Sequence, residues 1–503
     1  MRRTEVNVLA LLTASICFYS GVTLAAGERN PPASAQPGTS DGIAVGEDHL
    51  PPASRAAPNL EVVQKRDTLH TLADALAASP VGGNVTRSVL LTAARQGDFL
   101  PAISWSLAHG YWGLAQVLIA NNPQPTPRWA RLSLALHTHD SSALAHLLRH
   151  PQDLPARDRM QAQMDLGRYR QARRDALLVL QKGPFDRLLR RQYLEAVRES
   201  GSYVDLAGSW QSFNGLNLYG PRLRGRLAWS DRWSLIFDAD ALSQSASAAS
   251  QLLRVPAWSS RDLLGLRWQD PRWQIEGLVG TYRGERSTVS GRFSLGWQAT
   301  DNGELSANFD YHDRSLQSPA LAVAGMTNRI DLQWAQRFGS WLGNITGGWS
   351  QYQGQDGKAL GSDRYGEVSL LWRHSLGPWE LQLGPFADYH NLTRVSQLQG
   401  VLADVMQPDA RNPDLVLPGS YADVGLRMQW GAWQRSLASD WSPYFALSVY
   451  ENTRFGPQYQ VDAGVSTAVF GPDRLRIGFA QGQGGNGLAL NQRMVRVGYR
   501  FYF

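Results

Sequence analysis

Asp238 with Asp240, and Asp310 with His312 and Asp313, are tight groupings of the kind general acid–base chemistry needs. Nothing in the sequence completes a catalytic site around them. The ten histidines are scattered, and no His-Glu-x-x-His or Gly-x-Ser-x-Gly supplies a metal pair or an activated serine. The single cysteine, Cys17, lies in the N-terminal apolar run, which leaves the rest of the chain without a thiolate nucleophile, a thiolate metal site or a disulfide framework. No enzyme activity, metal or cofactor is expected. The i, i+2 spacing of Asp238 and Asp240 suits a different use, because on a β-strand it sets both carboxylates on one face.

That face extends along much of the chain. In segments of period-two alternation the acids Asp238, Asp240, Glu276, Asp310, Asp331, Glu367, Glu380, Asp388, Asp423 and Asp462 fall opposite the apolar series. So do the bases Arg224, Arg226, Arg267, Arg329, Arg373, Arg427, Arg474, Arg476, Arg496 and Arg500. A wall of mixed charge on one face and hydrocarbon on the other fits a hydrophilic pore, or charges paired across strands to stiffen its wall. The expected lining of the pore is wetted by water.

The elements that must carry these residues begin at Gly201. From there sixteen alternating segments can be marked, among them Trp233-Leu235-Phe237-Ala239 outward against Ser234-Asp238-Asp240 inward. Val424-Leu426-Met428-Trp430 likewise opposes Asp423-Arg427-Gln429. Short connections such as Gln269-Asp270-Pro271 and Phe338-Gly339-Ser340 alternate with long ones such as 243–260, 313–325 and 391–419. Short turns at one rim and long loops at the other are the arrangement of an outer-membrane barrel, with the short rim periplasmic. Sixteen strands leave a channel where eight would be filled by side chains. The last strand ends Arg496, Gly498, Phe501, Phe503, which reads as the C-terminal signal recognised by the barrel assembly machinery. The 18 tryptophans suit aromatic girdles at the two lipid interfaces.

Upstream the composition changes. Residues 1–26 read as a secretory signal, with Arg2 and Arg3 before a short apolar run. Residues 27–59, rich in Pro, Ala, Ser and Gly, read as a disordered linker. Residues 60–200 carry Ala, Leu and Arg at helical spacing. There Gly167, Tyr169 and Ala172, echoed by Gly97-Asp98-Phe99 and Gly110-Tyr111-Trp112, resemble the tetratricopeptide pattern of stacked helical pairs. The expected architecture is therefore a short periplasmic helical domain followed by a sixteen-stranded antiparallel transmembrane β-barrel over residues 201–503. The formal charge of +6 lies almost wholly in the first 200 residues, and the bases are scattered rather than striped, so no nucleic-acid partner is expected.

The segments Ser318-Pro319-Ala320-Leu321-Ala322-Val323-Ala324-Gly325-Met326, Gln351 to Gly361 and Tyr219-Gly220-Pro221, with the helical run Leu154 to Arg159, resemble the Pel exopolysaccharide export porins. The resemblance covers about residues 150–503. It implies export of a cationic, galactosamine-rich polysaccharide to the cell surface for biofilm matrix, outer-membrane lipid as surroundings, and docking of a periplasmic hydrolase or deacetylase on the repeats. The helical part is shorter than is usual in that family, and the inward charges balance where a cationic polymer favours acid. Two alternatives remain open at this point. One is a barrel that translocates surface lipoproteins, favoured by fewer strands and a lateral opening. The other is a surface receptor, favoured if the 391–419 loop folds inward. That loop, with Asp404, Asp409 and Asp414 among prolines, is read either as a gate or as a solvated surface loop.

Overall fold

A computed structural model describes residues 68, 70–76, 84–183, 185–300, 302–376, 379–431, 441–483 and 491–503. The signal and linker expected over 1–59 lie outside the described residues. The rest divides into two compact units, one reaching to Gln192 and the other running from Tyr193 to Phe503.

The first unit is helical. Its helices are α1 (Asn84–Arg95), α2 (Leu100–Ala108), α3 (Trp112–Ala120), α4 (Arg128–Thr138), α5 (Ser141–Leu147), α6 (Ala156–Asp165) and α7 (Tyr169–Lys182). Next comes α8 (Arg187–Ser200), within which one unit gives way to the other. The breaks after α1, α2 and α6 fall at Gly97, Gly110 and Gly167, with φ of +90°, +77° and +71°. Only glycine adopts this left-handed turn without steric cost, which is why these motifs end helices. Tyr169 and Ala172 are buried in the α6–α7 pair, and Asp140 caps α5 by accepting from the amides of Ser142 and Ala143. Leu72, Phe99, Ile103 and Leu118 share one apolar core, and Leu132, Leu144 and Ala162 share another.

The second unit is a closed barrel, every neighbouring pair antiparallel, of sixteen strands among the described residues. They are β1 (Tyr203–Phe213), β2 (Leu216–Ala228), β3 (Trp233–Ala246), β4 (Trp258–Gln269), β5 (Trp273–Arg283), β6 (Ser287–Thr300), β7 (Gly303–Asp313) and β8 (Gly325–Phe338). The series continues with β9 (Trp341–Gly354), β10 (Ala359–Leu376), β11 (Trp379–Arg394), β12 (Tyr421–Gly431), β13 (Ser442–Asn452), β14 (Gly456–Thr467), β15 (Arg474–Gln483) and β16 (Asn491–Tyr502). The seam zips from Tyr203↔Tyr502 to Phe213↔Gln492, so β1 and β16 are paired along their length and leave no free edge.

Outward positions are exposed hydrocarbon, for example Leu264 and Leu266, Ile330 and Leu332, Val424 and Leu426. This is the band a bilayer requires, since the closed sheet satisfies its own backbone. Tryptophans gather at the rim of short turns. Trp233 faces Trp268 in register, Trp273 stacks on Trp297 at 5.3 Å, and Trp379 stacks on Trp430 at 4.8 Å. Such a girdle belongs at a lipid–water interface. No helix among the described residues is long and apolar enough to cross a membrane.

Candidate functional site: the barrel lumen and its outer mouth

Lumen-side charges are held in pairs. Arg292 on β6 reaches Asp310 at 2.8 Å and Asp313 at 3.1 Å, and lies 3.9 Å from Asp238. Arg222 makes two bonds to Asp238, at 2.9 and 2.6 Å. Arg261 bonds Asp313 and lies 3.3 Å from Asp240, which Arg314 also meets at 2.7 Å. Four carboxylates and four guanidiniums from five strands and one loop thus form one network with almost no exposure beyond Arg222. Further pairs join Arg224 to Glu276 at 3.1 Å, Arg329 to Asp331 at 2.7 Å, Arg427 to Glu367 at 3.0 Å and Arg373 to Glu380 at 2.6 Å. Arg496 meets Asp462 at 2.7 Å, and Arg500 meets Asp205 at 2.7 Å. Arg267 donates to Gln274 at 2.8 Å.

The expected wetted wall needs correction. Asp238 and Glu276 are wholly shielded from solvent, and Asp240, Asp310, Asp331, Arg267, Arg329 and Arg427 nearly so. The physical reason is that charges removed from water must be neutralised by a partner with good geometry. The alternating pattern supplies both signs on one face, and they pair.

The acid–histidine grouping of β7 is not assembled. A register shift between Asp310 and Asp313 turns both carboxylates to Arg292, while His312, with φ +51°, meets the Val289 carbonyl at 3.1 Å and stacks on Tyr311. A different one forms across β10 and β11. His390 lies 2.6 Å from Asp363 and 3.2 Å from Asp388, and its ring stacks on Tyr365 at 5.4 Å and Tyr421 at 4.6 Å. Asp423 beside it accepts from Asn452 at 2.6 Å, and the Tyr365 hydroxyl bonds Arg329 at 2.7 Å. Sequence reading marked Asp388 and Asp423 but passed over Asp363 and His390. The available signal was the same-face spacing of His390 two residues after Asp388.

Tyr365 lies flat because β9 offers Gly348 beneath it, where an added Cβ would come within 2.4 Å of its hydroxyl. The ring covers the gap that a side-chain-less position leaves in a sheet.

At the rim of long connections, loops pack into the lumen against the wall. Two short helices, α9 (Pro319–Ala324) and α10 (Gly400–Val405), belong to the loops 314–324 and 395–420. They share an apolar cluster with Val416, Leu417 and Leu252 and with lumen-side residues of the wall, namely Phe213, Leu216, Leu218 and Tyr352. Val323, Val405, Val416 and Leu417 have no exposure at all. The loops also hold one another. Leu252 bridges to Met406, the Leu253 amide donates to the Val405 carbonyl at 2.8 Å, and the Gln355 amide donates to the Ala324 carbonyl at 2.8 Å. Asp356 accepts from the Val401 amide at 3.1 Å. The 391–419 segment is therefore folded inward as a plug, and its buried aliphatics, rather than its aspartates, do the packing.

Comparison with known proteins adds to this geometry. The family model described as PelB, C-terminal beta barrel domain, matches residues 198–502, more than half of the chain. The chain belongs to the PelB C-terminal β-barrel family. Its barrel is an outer-membrane one, and the helical unit that precedes it is periplasmic. No curated protein matches the sequence. Among solved structures, the PelB-family barrel is similar to a bacterial polysaccharide outer membrane secretin, at 11% identity and TM-score 0.45 over 61% of this chain and 99% of that one. It is also similar to the CymD monoaromatic hydrocarbon channel, at 10% identity and TM-score 0.33 over 62% and 91%. A loop-deleted OmpT of Vibrio cholerae aligns at 9% identity and TM-score 0.32 over 60% and 98%.

Proposed function

We propose that this chain is an outer-membrane porin that exports an exopolysaccharide, a Pel-like polymer of cationic amino sugars, from periplasm to cell surface for biofilm matrix. The observation that carries the reading is the family match over the whole barrel. The chemistry near the outer mouth supports it. Asp363, Asp388 and Asp423 give that part of the lumen the acidic bias a cationic polymer favours, and the stack of Tyr365, His390 and Tyr421 holds these carboxylates in place. The paired wall below it would serve as a rigid frame, and the role is transport without a catalytic step. The helical unit, read as tetratricopeptide-like, is the proposed docking place for a periplasmic deacetylase or hydrolase.

Deletion of the gene in a strain lacking any paralogue should leave polymer trapped in the periplasm, read by sugar-specific staining of surface and periplasmic fractions. Normal surface polymer in that strain would end the export reading. Asp388→Asn with Asp423→Asn should lower surface polymer about tenfold, the effect of roughly 1.4 kcal/mol in the path, at unchanged barrel levels. Unchanged secretion would return these residues to a structural role.

The inward plug is the one observation that favours a surface receptor instead, in which the loops bind and nothing passes. The zipped β1–β16 seam gives no support to lateral release of a lipoprotein. A receptor predicts that the deletion strain keeps its surface polymer and loses a ligand or phage.

We further propose that Arg496, Gly498, Phe501 and Phe503 are read by the barrel assembly machinery. Phe501 and Phe503 project outward, exposed and stacked at 6.1 Å. Phe503 removal together with Phe501→Ala should cut the folded, heat-modifiable band on gels about tenfold while leaving the purified variant able to refold in detergent, since about 1–2 kcal/mol of lipid-facing area is at stake. Equal loss in detergent refolding would make the pair structural only.

A further inference from the structure

The end of the barrel where β1 begins holds a second buried segment. Glu195, Ala196, Val197, Arg198, Glu199 and Ser200, the last turns of α8, are all buried, on every side of the helix. A helix covered all round lies inside something, yet this stretch is polar and charged, unlike a hydrophobic core. What surrounds it is the barrel wall. Arg226 of β2 reaches in with Nε to the Gly201 carbonyl and Nη2 to the Arg198 carbonyl, both at 2.9 Å. It thereby caps the helix C-terminus, where carbonyls lack partners and a cation is favoured. Val197 packs with Tyr203 and Tyr502 at the seam. Gln269 at the end of β4 donates to the Glu199 carbonyl at 3.4 Å, and Arg198 donates to the Pro472 carbonyl at 3.3 Å in the turn before β15. The contacts span the wall from β4 through the seam to that turn.

We propose that the C-terminal end of α8 is a retractable stopper in the periplasmic mouth, acting in series with the outer plug. This rests on the reading of the barrel as a channel, though not on which polymer passes. Its seating is firm at the backbone and poor at one side chain. Both terminal guanidinium nitrogens of Arg198 are buried with no hydrogen-bond partner among the described residues. Burial, and then the like charge of Arg474, pull that guanidinium down to about 9, against the opposing pull of Tyr502 and Glu195. An under-partnered buried cation favours withdrawal into water. Because α8 is one uninterrupted helix from Arg187, the chain before it is the handle by which it would be drawn out.

Two closures in series make a signature. With either one shut the channel stays shut, so opening them singly does little and together does much. Full-length protein in planar lipid bilayers tests this. The outer plug is opened by Leu402→Asp with Val405→Asp, and the stopper is loosened by Arg226→Ala, which removes two charge-assisted bonds and shifts the seated population about a hundredfold. Each change alone should leave conductance within about twofold of the unaltered chain, and the combination should raise it at least about tenfold, a non-additive result. A lock carries the test should Arg226→Ala not fold: Val197→Cys with Tyr502→Cys, in the plug-opened chain with Cys17→Ser. Both substitutions also remove the packing of Val197 on Tyr203 and Tyr502, so the reduced chain should flicker open; oxidised, it should be silent. Full conductance with the crosslink formed, or no crosslink in a folded barrel, would overturn the stopper. A lock that controls ion flow in a protein whose loss leaves surface polymer normal would uphold the stopper and remove the export reading instead.

Discussion

Leu402→Asp with Val405→Asp is expected to release the 395–420 segment from the outer mouth. Both side chains sit in the apolar cluster with α9 and the lumen-side wall, and neither has meaningful exposure. Truncating such a buried aliphatic costs about 2–5 kcal/mol, and placing a carboxylate there without a partner adds to that. The loop's docking free energy is only a part of the fold's total, so a loss of this size undocks it locally while the strands stay paired. Surface protease should cleave within 395–420 at least about a hundredfold faster than in the unaltered chain, equivalent to roughly 3 kcal/mol of lost docking. The barrel should keep its heat-modifiable mobility, because the β11–β12 ladder from Glu380↔Gly431 to His390↔Tyr421 does not depend on the loop. Asp414→Ala is the contrast. Its pair with Arg394 is solvent-exposed on both sides, and exposed pairs contribute about 0–1 kcal/mol. Rapid cleavage of the unaltered chain at the same sites would show that the plug is not docked.

Arg292→Ala carries the largest expected stability effect in the wall. It strands Asp310 and leaves Asp313 with Arg261 alone, in a network whose members are almost wholly shielded. Removing one partner of a buried ionic network costs about 3–5 kcal/mol, mostly as uncompensated charge. The midpoint of urea unfolding in detergent should fall accordingly. Adding Asp310→Asn should recover part of the loss by removing one stranded charge. Arg157→Ala, which breaks the exposed pair with Asp186 at 2.8 Å in the helical unit, should cost no more than about 1 kcal/mol. A loss below that for Arg292→Ala would mean that water reaches the network and that the wall is softer than its burial indicates.

Much of the barrel was legible in the sequence because its governing signal is local. Period two along Trp233–Asp240 or Asp423–Trp430 assigns each side chain to a face without knowledge of any neighbour, and alternating connection lengths then assign the two rims. The glycines ending α1, α2 and α6 are local in the same sense, since φ belongs to one residue. Even the identity of the lumen-side charges follows from parity.

What parity could not carry is which charge meets which, because that depends on register between strands and on bulges. The shift between Asp310 and Asp313 brings the second carboxylate to Arg292 and sends His312 elsewhere, and nothing in the spacing announces it. His390 finds Asp363 across a pair of strands, 27 positions away. The two buried segments were further out of reach. Val401, Leu402, Val405 and Leu417 lie in an irregular loop with no period, and Glu195 to Ser200 read as the polar end of an ordinary helix. Their burial is created by a cavity that exists only once sixteen strands have closed on themselves. By itself the sequence determined the cylinder and the polarity of its two faces; only the tertiary structure decided that its charges are paired and that loop aliphatics and a helix end are buried against its wall, because filling a lumen is a relation among residues far apart in the chain.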